Sequence, residues 1–432
     1  FRKIRYLKDR YRTVLQYTRG KDPCLPAGLL QMSLFLTTIS VDEAVKTARN
    51  LAGPLPVEDI HLSSVYGRVL GADITADIDI PGFNRSSVDG YAVRSRDTAG
   101  ASESLPALLR LSGRVVMGER DDRHLSPDTC VYVPTGGAVP DGADAVVMME
   151  YTEPIGDDIL VKRPPAFGEN MVMRGEDFRA GEGILSQGTV LSSREIAALA
   201  AAGRTSVPVI TRPRIGVIST GNELIPVENI PVGNQVRDIN SWMCGAFLAS
   251  VGCIPEYYGI IRDDRDMLRE VLKKALSVSD AVLISGGSSK DDRDMTADLI
   301  RESGEVLVHG ITISPGKPTI IGKADGIPVI GLPGHPASAF VVLLVIARPL
   351  LLRMTGQNRP EFLTKSLVLG ENIPSAKGRE DYVRVRFRGG KVYPEFGKSG
   401  LVNTLIRSDG LVRIPSGVEG LEEGDTVEVI LW

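Results

Sequence analysis

The strongest constraint on the fold of this chain is a regular alternation of strand-like and helix-like segments between Arg214 and Leu352. Short apolar runs predict strands at 214–219, 256–261, 281–285, 319–321 and 329–332, and the stretches between them predict helices at 239–251, 265–276, 296–301 and 336–352. Strands and helices that alternate in this way are typical of an open, largely parallel α/β sheet. The sequence therefore predicts an α/β domain.

The segments on either side of this domain follow other patterns. Capping boxes begin helices at Ser40 and Ser192, and short β-like runs separated by Gly, Pro and Asp turns lie between them. After Gly356 the sequence contains no convincing helix. The predicted fold is multidomain, α/β plus β: a helical framework domain (37–70 and 154–205), an inserted β-rich domain (71–153), the α/β domain (206–355) and a C-terminal β domain (356–432).

Basic residues are concentrated at the N-terminus. Residues 1–22 carry eight basic and two acidic side chains, whereas the whole chain has a net charge of −4. This leader, residues 1–36, could bind nucleic acid or a membrane surface, but a tail or an upstream translation product explains it more simply, with Met32 as a natural start. The sequence pI near 5.8 argues against a nucleic-acid binder as a whole.

The cysteines and the apolar runs indicate in which cellular compartment the protein is expected. The four cysteines are scattered and include no C-x-x-C pair, and the four histidines are dispersed as well. Neither a disulfide framework nor a zinc site is therefore predicted. The longest apolar run, Ala339 to Ala347, is shorter than the roughly 20 residues of a membrane span. We therefore expect a cytoplasmic protein that does not enter the membrane.

Candidate ligand-binding loops follow the predicted strands, because ligands of open α/β sheets bind at the carboxyl ends of the strands. These loops are polar and glycine-rich, and they cover residues 219–223, 262–264, 285–294, 315–318 and 331–336. Backbone N–H groups and hydroxyls of Ser285, Gly286, Gly287 and Ser288 could cradle a phosphate, with the helix predicted near Asp294 adding its positive end. An ordinary glycine-rich turn explains this segment equally well.

Charged side chains in the same loops suggest an oxyanion and a metal ion. Lys290 and Lys317 could attract an oxyanion, although lone lysines are more often solvated. Glu223, Asp263 and Asp294 stand at three strand ends, and converging carboxylates beside a phosphate suit Mg²⁺. Each acid alone could equally be a helix cap or a turn residue. The prolines of the last loop, Pro333 and Pro336, could hold a ligand loop or only a rigid turn.

Eight motifs together resemble a known family. They are NRSSVDGYAV, PTGGAVPDGADAVVMME, RGEDFRAG, STGNEL, GIIRDD, SGGSSKDDRDMT, PGKP and GLPGHPASA. Their order and approximate spacing are those of the MoeA-type molybdopterin molybdenumtransferases, and the chain is also similar to the catalytic domain of gephyrin. The resemblance runs from about Ile39 to the C-terminus and leaves residues 1–31 outside.

The resemblance implies a function in molybdenum cofactor biosynthesis. Family members use Mg²⁺ to insert molybdate into adenylylated molybdopterin, with release of AMP. The implied catalytic residues are Asp89, Asp177, Glu223, Asp263 and Asp294, of which Glu223, Asp263 and Asp294 would also hold the metal. The implied substrate-binding residues are Thr135, Ser285, Gly286, Gly287, Ser288, Lys290, Lys317, Pro333, Pro336 and Ser399. The family also implies a homodimer in which Asp89 and Thr135 act in the site of the other subunit, with small-molecule substrates and no nucleic acid.

Four positions depart from the family pattern. Asn222 stands where many members have aspartate, Asp291 replaces a usual glycine and His335 a usual asparagine. Ser314 replaces a common lysine, a loss that Lys290 and Lys317 could compensate or that could mark a variant using tungstate.

Two other functions remain open at this stage. A molybdopterin adenylyltransferase would share the α/β domain but would not explain the DGYA segment or the C-terminal β domain. A non-catalytic, gephyrin-like scaffold would share the whole architecture.

Overall fold

The computed structural model describes residues 38–119, 122–286 and 290–432, without the side chains of residues 290–294. The basic leader, Met32, Gly287 and Ser288 therefore lie outside the described residues, as do the side chains of Lys290, Asp291 and Asp294. Residues 38–432 form one unit.

Helices begin where the capping signals predict them. The α-helices are α1 (Val41–Arg49), α2 (Ser193–Ala201), α3 (Asn240–Ser250), α4 (Arg265–Leu276), α5 (Lys290–Ser303), α6 (Pro336–Val342), α7 (Arg348–Thr355) and α8 (Asn403–Ile406). At α1, Glu43 Oε2 accepts hydrogen bonds from the N–H of Ser40 at 3.0 Å and from its hydroxyl at 2.8 Å. These bonds lower the pKa of Glu43. Both predicted capping boxes are confirmed.

Two of these helices differ from the sequence prediction. Helix α5 begins at Lys290, so Asp294 lies inside the helix rather than at its start. Helix α8 is a single turn in the C-terminal region, where no helix is predicted. One-turn 3₁₀ helices lie at Leu62–Ser64, Ser95–Thr98 and Met149–Tyr151.

The N-terminal half contains a small framework and a β-rich sheet. Its strands are β1 (Val57–His61), β2 (Ile74–Thr75), β3 (Arg85–Ser86), β4 (Gly90–Val93), β5 (Ala107–Arg114), β6 (Thr129–Val133), β7 (Ala145–Met148), β8 (Thr152–Ile155), β9 (Asp158–Val161), β10 (Met171–Val172), β11 (Gly183–Leu185) and β12 (Ser206–Ile210). The β-rich sheet has the order β7-β4-β6-β5-β9-β8. Strand β1 pairs with β12, and β2 with β11, so chain segments before and after the β-rich sheet meet in the framework.

The middle of the chain forms the predicted α/β sheet. Its strands are β13 (Arg214–Thr220), β14 (Leu224–Ile225), β15 (Val236–Arg237), β16 (Ile254–Ile261), β17 (Ala281–Ser285), β18 (Gly304–His309), β19 (Ile313–Ser314), β20 (Ile320–Ala324) and β21 (Ile327–Leu332). The sheet order is β16-β13-β17-β21-β20-β18. The first four strands are parallel, whereas β20 and β18 are antiparallel to their neighbours. The largely parallel sheet is confirmed, and β18 is a strand that the sequence pattern did not predict.

The direction of β20 corrects one expectation about the loops. The Pro315–Pro318 loop does not follow a strand of this sheet; it follows β19, which pairs with the C-terminal domain, and precedes β20. Because β20 is antiparallel, its first residue, Ile320, pairs with Gly331 near the carboxyl end of β21. The loop therefore still reaches the ligand-binding edge of the sheet.

A long buried helix connects this sheet to the C-terminal domain. Helices α6 and α7 are joined by a π-helical turn, Leu343–Ala347, and the helix ends at Gly356, whose φ of 68° is left-handed. The apolar run of residues 339–347 thus belongs to a helix of 20 residues that is long and apolar enough to cross a membrane. Since 83% of its most apolar stretch is buried inside the protein, packing in the core accounts for this composition.

The C-terminal region is a β domain, as predicted. Its strands are β22 (Leu363–Leu369), β23 (Ile373–Pro374), β24 (Glu380–Arg388), β25 (Lys391–Pro394), β26 (Gly410–Ile414), β27 (Gly420–Leu421) and β28 (Thr426–Leu431). Together with β19 they form a sheet of order β19-β24-β25-β22-β28-β26, in which β24 also pairs with β26. Strand β19 thus ties the loop that follows it to this domain.

Candidate functional site

Asp263 organises the first loop of the α/β sheet. Its Oδ1 accepts a hydrogen bond from the Thr220 hydroxyl at 2.8 Å, and its Oδ2 accepts one from the N–H of Asn222 at 3.1 Å. In the reverse direction, Oδ1 of Asn222 accepts a hydrogen bond from the N–H of Asp263 at 3.3 Å. An amide at position 222 therefore adds no second negative charge beside Asp263. The loops after β13 and β16 converge, as predicted.

Gly286 comes very close to the same loop. A side-chain carbon at position 286 would lie 2.3 Å from the carbonyl oxygen of Thr220, which is far inside van der Waals contact. Glycine is therefore required by close backbone approach. The first two residues of the predicted phosphate cradle, Ser285 and Gly286, lie directly beside the loop that Asp263 organises.

Ser285 is held by a residue that the sequence analysis missed. Asn240, the first residue of α3, donates from Nδ2 to Ser285 Oγ at 2.8 Å and to the carbonyl oxygen of Gly334 at 2.9 Å. Asn240 is 7% exposed. No local pattern in the sequence marks it, because both of its partners lie far away along the chain.

The last loop of the sheet connects to the C-terminal domain. Pro333 is buried, and the buried Pro336 is the first residue of α6, where its missing N–H costs nothing. The Ser399 hydroxyl lies 2.9 Å from Nδ1 of His335, and the Ser399 carbonyl oxygen accepts the N–H of Ala337 at 3.0 Å. Ser399 is thus fixed against the α/β domain by two hydrogen bonds.

These loops surround a cleft of about 330 Å³ at the carboxyl edge of the sheet, which we call the edge cleft. Its lining residues include Glu223, Asn240, Ser285, Gly286, His335 and Pro336. The lining thus brings together three of the predicted loops.

A second cleft, of about 490 Å³, lies between the Pro315–Pro318 loop and the C-terminal domain, and we call it the basic cleft. The cations that line it are Lys317, Lys377 and Arg379. Hydroxyls of Ser314, Ser338 and Ser399 belong to the same lining. Ser399 contacts His335 of the edge cleft, so the two clefts adjoin at this pair.

Two of the cations in the basic cleft are paired. Arg379 Nε lies 3.1 Å from an oxygen of Asp381, and Lys377 Nζ lies 3.1 Å from an oxygen of Glu419. Within the part of the chain that the structure describes, Lys317 forms no ion pair and its side chain is exposed. Lys377 and Arg379 were not predicted from the sequence, because some 60 residues separate them from Lys317.

Three other predicted residues lie on the β-rich half. The backbone N–H of Thr135 donates to Asp89 Oδ1 at 2.7 Å, and the Thr135 hydroxyl donates to the same oxygen at 3.1 Å. Asp177 is exposed, and its N–H donates to the carbonyl oxygen of Ile80. We call Asp89, Thr135 and Asp177 the β-rich cluster.

Hydrogen bonds tie the segments of the β-rich cluster together. Arg174, in the segment that carries Asp177, donates from its N–H to Asn84 Oδ1 at 2.8 Å and from Nε to Asp79 Oδ2 at 2.7 Å. The N–H of Ala180 and the Arg174 guanidinium lower the pKa of Asp79. Among the described residues, no hydrogen bond or ion pair joins Asp89, Thr135 or Asp177 to Glu223 or Asp263.

The described residues contain no group of three histidine, cysteine or acidic side chains close enough to hold a metal ion. The predicted trio of Glu223, Asp263 and Asp294 is not tested by this, since the Asp294 side chain is outside the described part. Glu223 is exposed, and each oxygen of Asp263 accepts one hydrogen bond from the neighbouring loop. An exposed carboxylate and a partly exposed one fit Mg²⁺, which takes one or two carboxylates together with phosphate oxygens and waters.

None of the cysteines in the described part of the chain lines either cleft. Cys130, Cys244 and Cys253 are buried, and burial raises the pKa of each thiol to about 12. Since the thiolate is the reactive form, these side chains act as small apolar core residues.

Comparison with known proteins decides the family. The MoeA N-terminal region (domain I and II) matches residues 39–203, the probable molybdopterin binding domain matches 216–353, and the MoeA C-terminal region (domain IV) matches 366–432. This chain belongs to the MoeA family. The resemblance inferred from the eight motifs and the multidomain α/β plus β fold are thereby confirmed.

Individual MoeA relatives cover nearly all of the chain. A molybdopterin molybdenumtransferase of Bacillus subtilis is 32% identical over 405 residues, 91% of this chain and 94% of the relative. One of Staphylococcus aureus is 31% identical over 401 residues, 91% of this chain and 95% of the relative. The crystal structure of a molybdopterin biosynthesis MoeA protein of Pyrococcus horikoshii superposes with a TM-score of 0.81 at 31% identity, covering 91% of this chain and 100% of that chain.

Proposed function

We propose that this MoeA protein is a molybdopterin molybdenumtransferase that, with Mg²⁺, inserts molybdate into adenylylated molybdopterin and releases AMP. The observation that carries the proposal is the pair of adjoining clefts. The edge cleft offers backbone groups, neutral polar side chains, carboxylates and one exposed cation, Arg237, whereas the basic cleft offers three cations. The mixed polar lining of the edge cleft suits a pterin nucleotide linked through phosphate, and the cations of the basic cleft suit a small oxyanion.

The edge cleft suits the nucleotide-linked substrate. In the proposal, Ser285 and Gly286 bind its phosphate together with Gly287, Ser288 and Lys290. A helix N-terminus is a favourable place for phosphate because its N–H groups are unpaired, and α5 begins at Lys290. Pro333 and Pro336 keep the opposite loop rigid, so the cleft needs little ordering when substrate binds.

The basic cleft suits molybdate, which carries two negative charges. Lys317 supplies an ammonium group that forms no ion pair with the described residues, and Arg379 supplies a guanidinium whose Nε contacts Asp381. The Ser338 hydroxyl can donate a further hydrogen bond, and the Ser399 hydroxyl can do so in the tautomer in which Nδ1 of His335 donates to it. Lys377 and Arg379 also bring positive charge to a cleft in which Ser314 replaces the usual lysine, so we propose that molybdate binding survives this departure.

Glu223, Asp263 and Asp294 are the residues that would hold Mg²⁺. Held by these carboxylates, the ion would neutralise negative charge on the phosphate oxygens of the substrate. Asp263 positions the loop that contains Asn222 and Glu223, whatever its role toward the metal.

We also propose that the working enzyme is a homodimer whose site joins the β-rich cluster of one subunit to the edge cleft of the other. The support is structural. Asp89, Thr135 and Asp177 are exposed, and in the described chain they are not bonded to the acidic residues of the α/β loops. A two-fold dimer would give two equivalent sites of this kind.

The decisive experiment incubates the protein with adenylylated molybdopterin, molybdate and Mg²⁺. We expect release of AMP and formation of active molybdenum cofactor. Unaltered substrate would refute the transferase and favour the scaffold, whereas pyrophosphate release from ATP and molybdopterin would favour the adenylyltransferase. Replacing molybdate by tungstate in a parallel reaction measures the preference between the two oxyanions.

A matched pair of variants on α5 tests the proposed metal residue. Asp294→Asn is expected to abolish turnover and to leave the circular dichroism spectrum unchanged. Asp298→Asn, four residues further along the same helix and paired with Arg301 at 2.8 Å, is expected to retain turnover. Full activity of Asp294→Asn would remove Asp294 from the site.

Mixing two inactive variants tests the intersubunit site. If Asp89→Asn and Asp263→Asn are each inactive, a mixed dimer contains one site in which both residues are intact. Random mixing should then restore about a quarter of the wild-type activity, because half of the dimers are mixed and each has one intact site. Recovery of no activity would place both residues in the same subunit's site.

A further inference from the structure

Asn240 has one polar atom that the protein leaves without a partner. Its Oδ1 is buried and accepts no hydrogen bond from the described residues, and the whole residue is 7% exposed. A buried amide oxygen without a donor costs free energy, because water has been removed from it and nothing replaces the lost hydrogen bond. Native proteins keep few such groups, so this one needs an explanation.

The orientation of the Asn240 amide is fixed by its surroundings. Nδ2 lies 2.9 Å from the carbonyl oxygen of Gly334, and a carbonyl oxygen can only accept a hydrogen bond. The nitrogen must therefore face Gly334, and rotating the amide by 180° would put two acceptors together. The unpartnered atom is consequently the oxygen, which is a hydrogen-bond acceptor.

The same amide also sets the hydroxyl of Ser285. Because Nδ2 donates to Ser285 Oγ at 2.8 Å, that oxygen already acts as an acceptor toward Asn240. The Ser285 hydrogen is then directed away from the amide and is available for another acceptor. Ser285 and Asn240 both line the edge cleft.

We propose that Asn240 is a positioning and recognition residue of the edge cleft. Its Nδ2 holds the Ser285 and Gly334 loops together and orients the Ser285 hydroxyl toward a phosphate oxygen, while its Oδ1 accepts a hydrogen bond from an N–H or O–H group of the same substrate. This inference rests on the proposed function, since the substrate is adenylylated molybdopterin. That substrate has such donors on both halves, the pterin and the nucleoside.

Equilibrium binding of adenylylated molybdopterin to Asn240→Ala and Asn240→Ser tests the proposal. Loss of the Oδ1 hydrogen bond alone is expected to weaken binding about tenfold, so each variant should lose at least that much. Asn240→Ser keeps a small polar group at the start of α3, so it remains informative if Asn240→Ala is poorly folded. Unchanged binding in a folded variant would overturn the proposal.

A matched asparagine separates recognition from a purely structural role. Asn358 is exposed, and its Nδ2 also bridges two chain segments by donating to the carbonyl oxygen of Gln187. Asn358→Ala should lower the melting temperature without changing substrate binding. If Asn240→Ala behaves in the same way, Asn240 is only structural.

A double-mutant cycle with Ser285 tests whether Asn240 acts through that hydroxyl. Asn240→Ala removes both its own contact and the orientation of Ser285. The double variant Asn240→Ala/Ser285→Ala should therefore bind about as weakly as Asn240→Ala alone. If the loss of affinity in the double variant equals the product of the losses in the two single variants, the residues act independently. That result would overturn this part of the proposal.

Binding of the two half-molecules locates the donor. If AMP loses about tenfold in affinity for Asn240→Ala and molybdopterin does not, the donor is on the nucleoside, and the reverse result places it on the pterin. No loss with either half and none with the whole substrate would refute recognition by Oδ1. If the wild-type protein binds adenylylated molybdopterin but does not turn it over, the proposed reaction fails while Asn240 is still tested. If the wild-type protein does not bind it, both fail.

Discussion

The edge cleft and the basic cleft adjoin, yet they present their polar groups in different ways. In the edge cleft the groups are fixed before any substrate binds: Asn240 holds Ser285, and Asp263 holds the Thr220 loop at the ends of sheet strands. In the basic cleft the charges are on long side chains, and Lys377 and Arg379 already have carboxylate partners. Under the proposed function, shape and hydrogen-bond direction would select the pterin nucleotide in the first cleft, whereas charge would select molybdate in the second.

The largest effect is expected from Gly286→Ala in the edge cleft. The added methyl group would meet the carbonyl oxygen of Thr220 at 2.3 Å and force the two loops apart. We expect kcat/KM for adenylylated molybdopterin to fall about 100-fold, because small displacements of a preorganised site are costly. The free energy of unfolding should decrease by about 1–3 kcal/mol.

Gly183→Ala is the matched control for this prediction. A methyl group at Gly183 would meet no atom within 4 Å. Steady-state kinetics and thermal unfolding should therefore leave this variant close to the wild type. If Gly286→Ala likewise leaves kcat/KM and the free energy of unfolding unchanged, the edge cleft is not preorganised. The contrast drawn between the two clefts would then be wrong.

A smaller effect is expected from Lys317→Ala in the basic cleft. Removing its unpaired ammonium group should raise the molybdate concentration for half-maximal rate about tenfold, since a hydrogen bond to a charged group is worth about 1.5–3 kcal/mol when buried and less when exposed. The KM for adenylylated molybdopterin should stay unchanged. Lys323→Ala, on β20 outside both clefts, is the control. A rise in the pterin KM instead would mean that the clefts do not divide the two ligands as proposed.

Ser314→Lys should strengthen the basic cleft by a modest amount. It adds the positive charge that the family resemblance leads us to expect here, and the half-saturating molybdate concentration should fall about threefold at low ionic strength. The gain should shrink in 0.5 M salt because ions screen it. Ser104→Lys in the β-rich half makes the same change in net charge and should have no effect. An equal gain from both variants would point to overall charge rather than to this cleft.

The smallest effect is expected at the boundary between the clefts. His335→Asn keeps a side chain that can hydrogen bond to Ser399, so both KM values should change by no more than about twofold. His335→Ala removes the 2.9 Å contact and should affect both ligands more than His335→Asn does. If only one ligand responds to His335→Ala, the contact belongs to that cleft alone.

Much of the fold could be predicted because its signals are local. The capping boxes at Ser40 and Ser192 lie within four residues of chain, and the helices begin at these positions. Strand β18 was missed because it lies at the sheet edge, where half of its residues are exposed and the apolar run is weak. The single turn α8 is too short to show a helical period.

The site could be predicted only where polar, glycine-rich loops directly follow predicted strands. The strand-end rule placed the loops 219–223 and 262–264 at one edge of the sheet, and the hydrogen bond from Asn222 to Asp263 joins these two loops. The same rule could not find Asn240, because its partners Ser285 and Gly334 are 45 and 94 residues away along the chain. It also could not place Lys377 and Arg379, since they come from another domain.

The main hydrophobic core has a consequence for how this protein unfolds. It contains Val41 and Ala44 of α1, Leu283 of the α/β sheet, the buried helix, and Tyr382, Leu411 and Ile430 of the C-terminal domain in one continuous cluster. The β-rich sheet instead has apolar clusters of its own. Regions that share a core lose their hydrogen-exchange protection together, whereas a region with a separate core can open alone. The β-rich sheet should therefore be able to unfold locally while both clefts keep their structure.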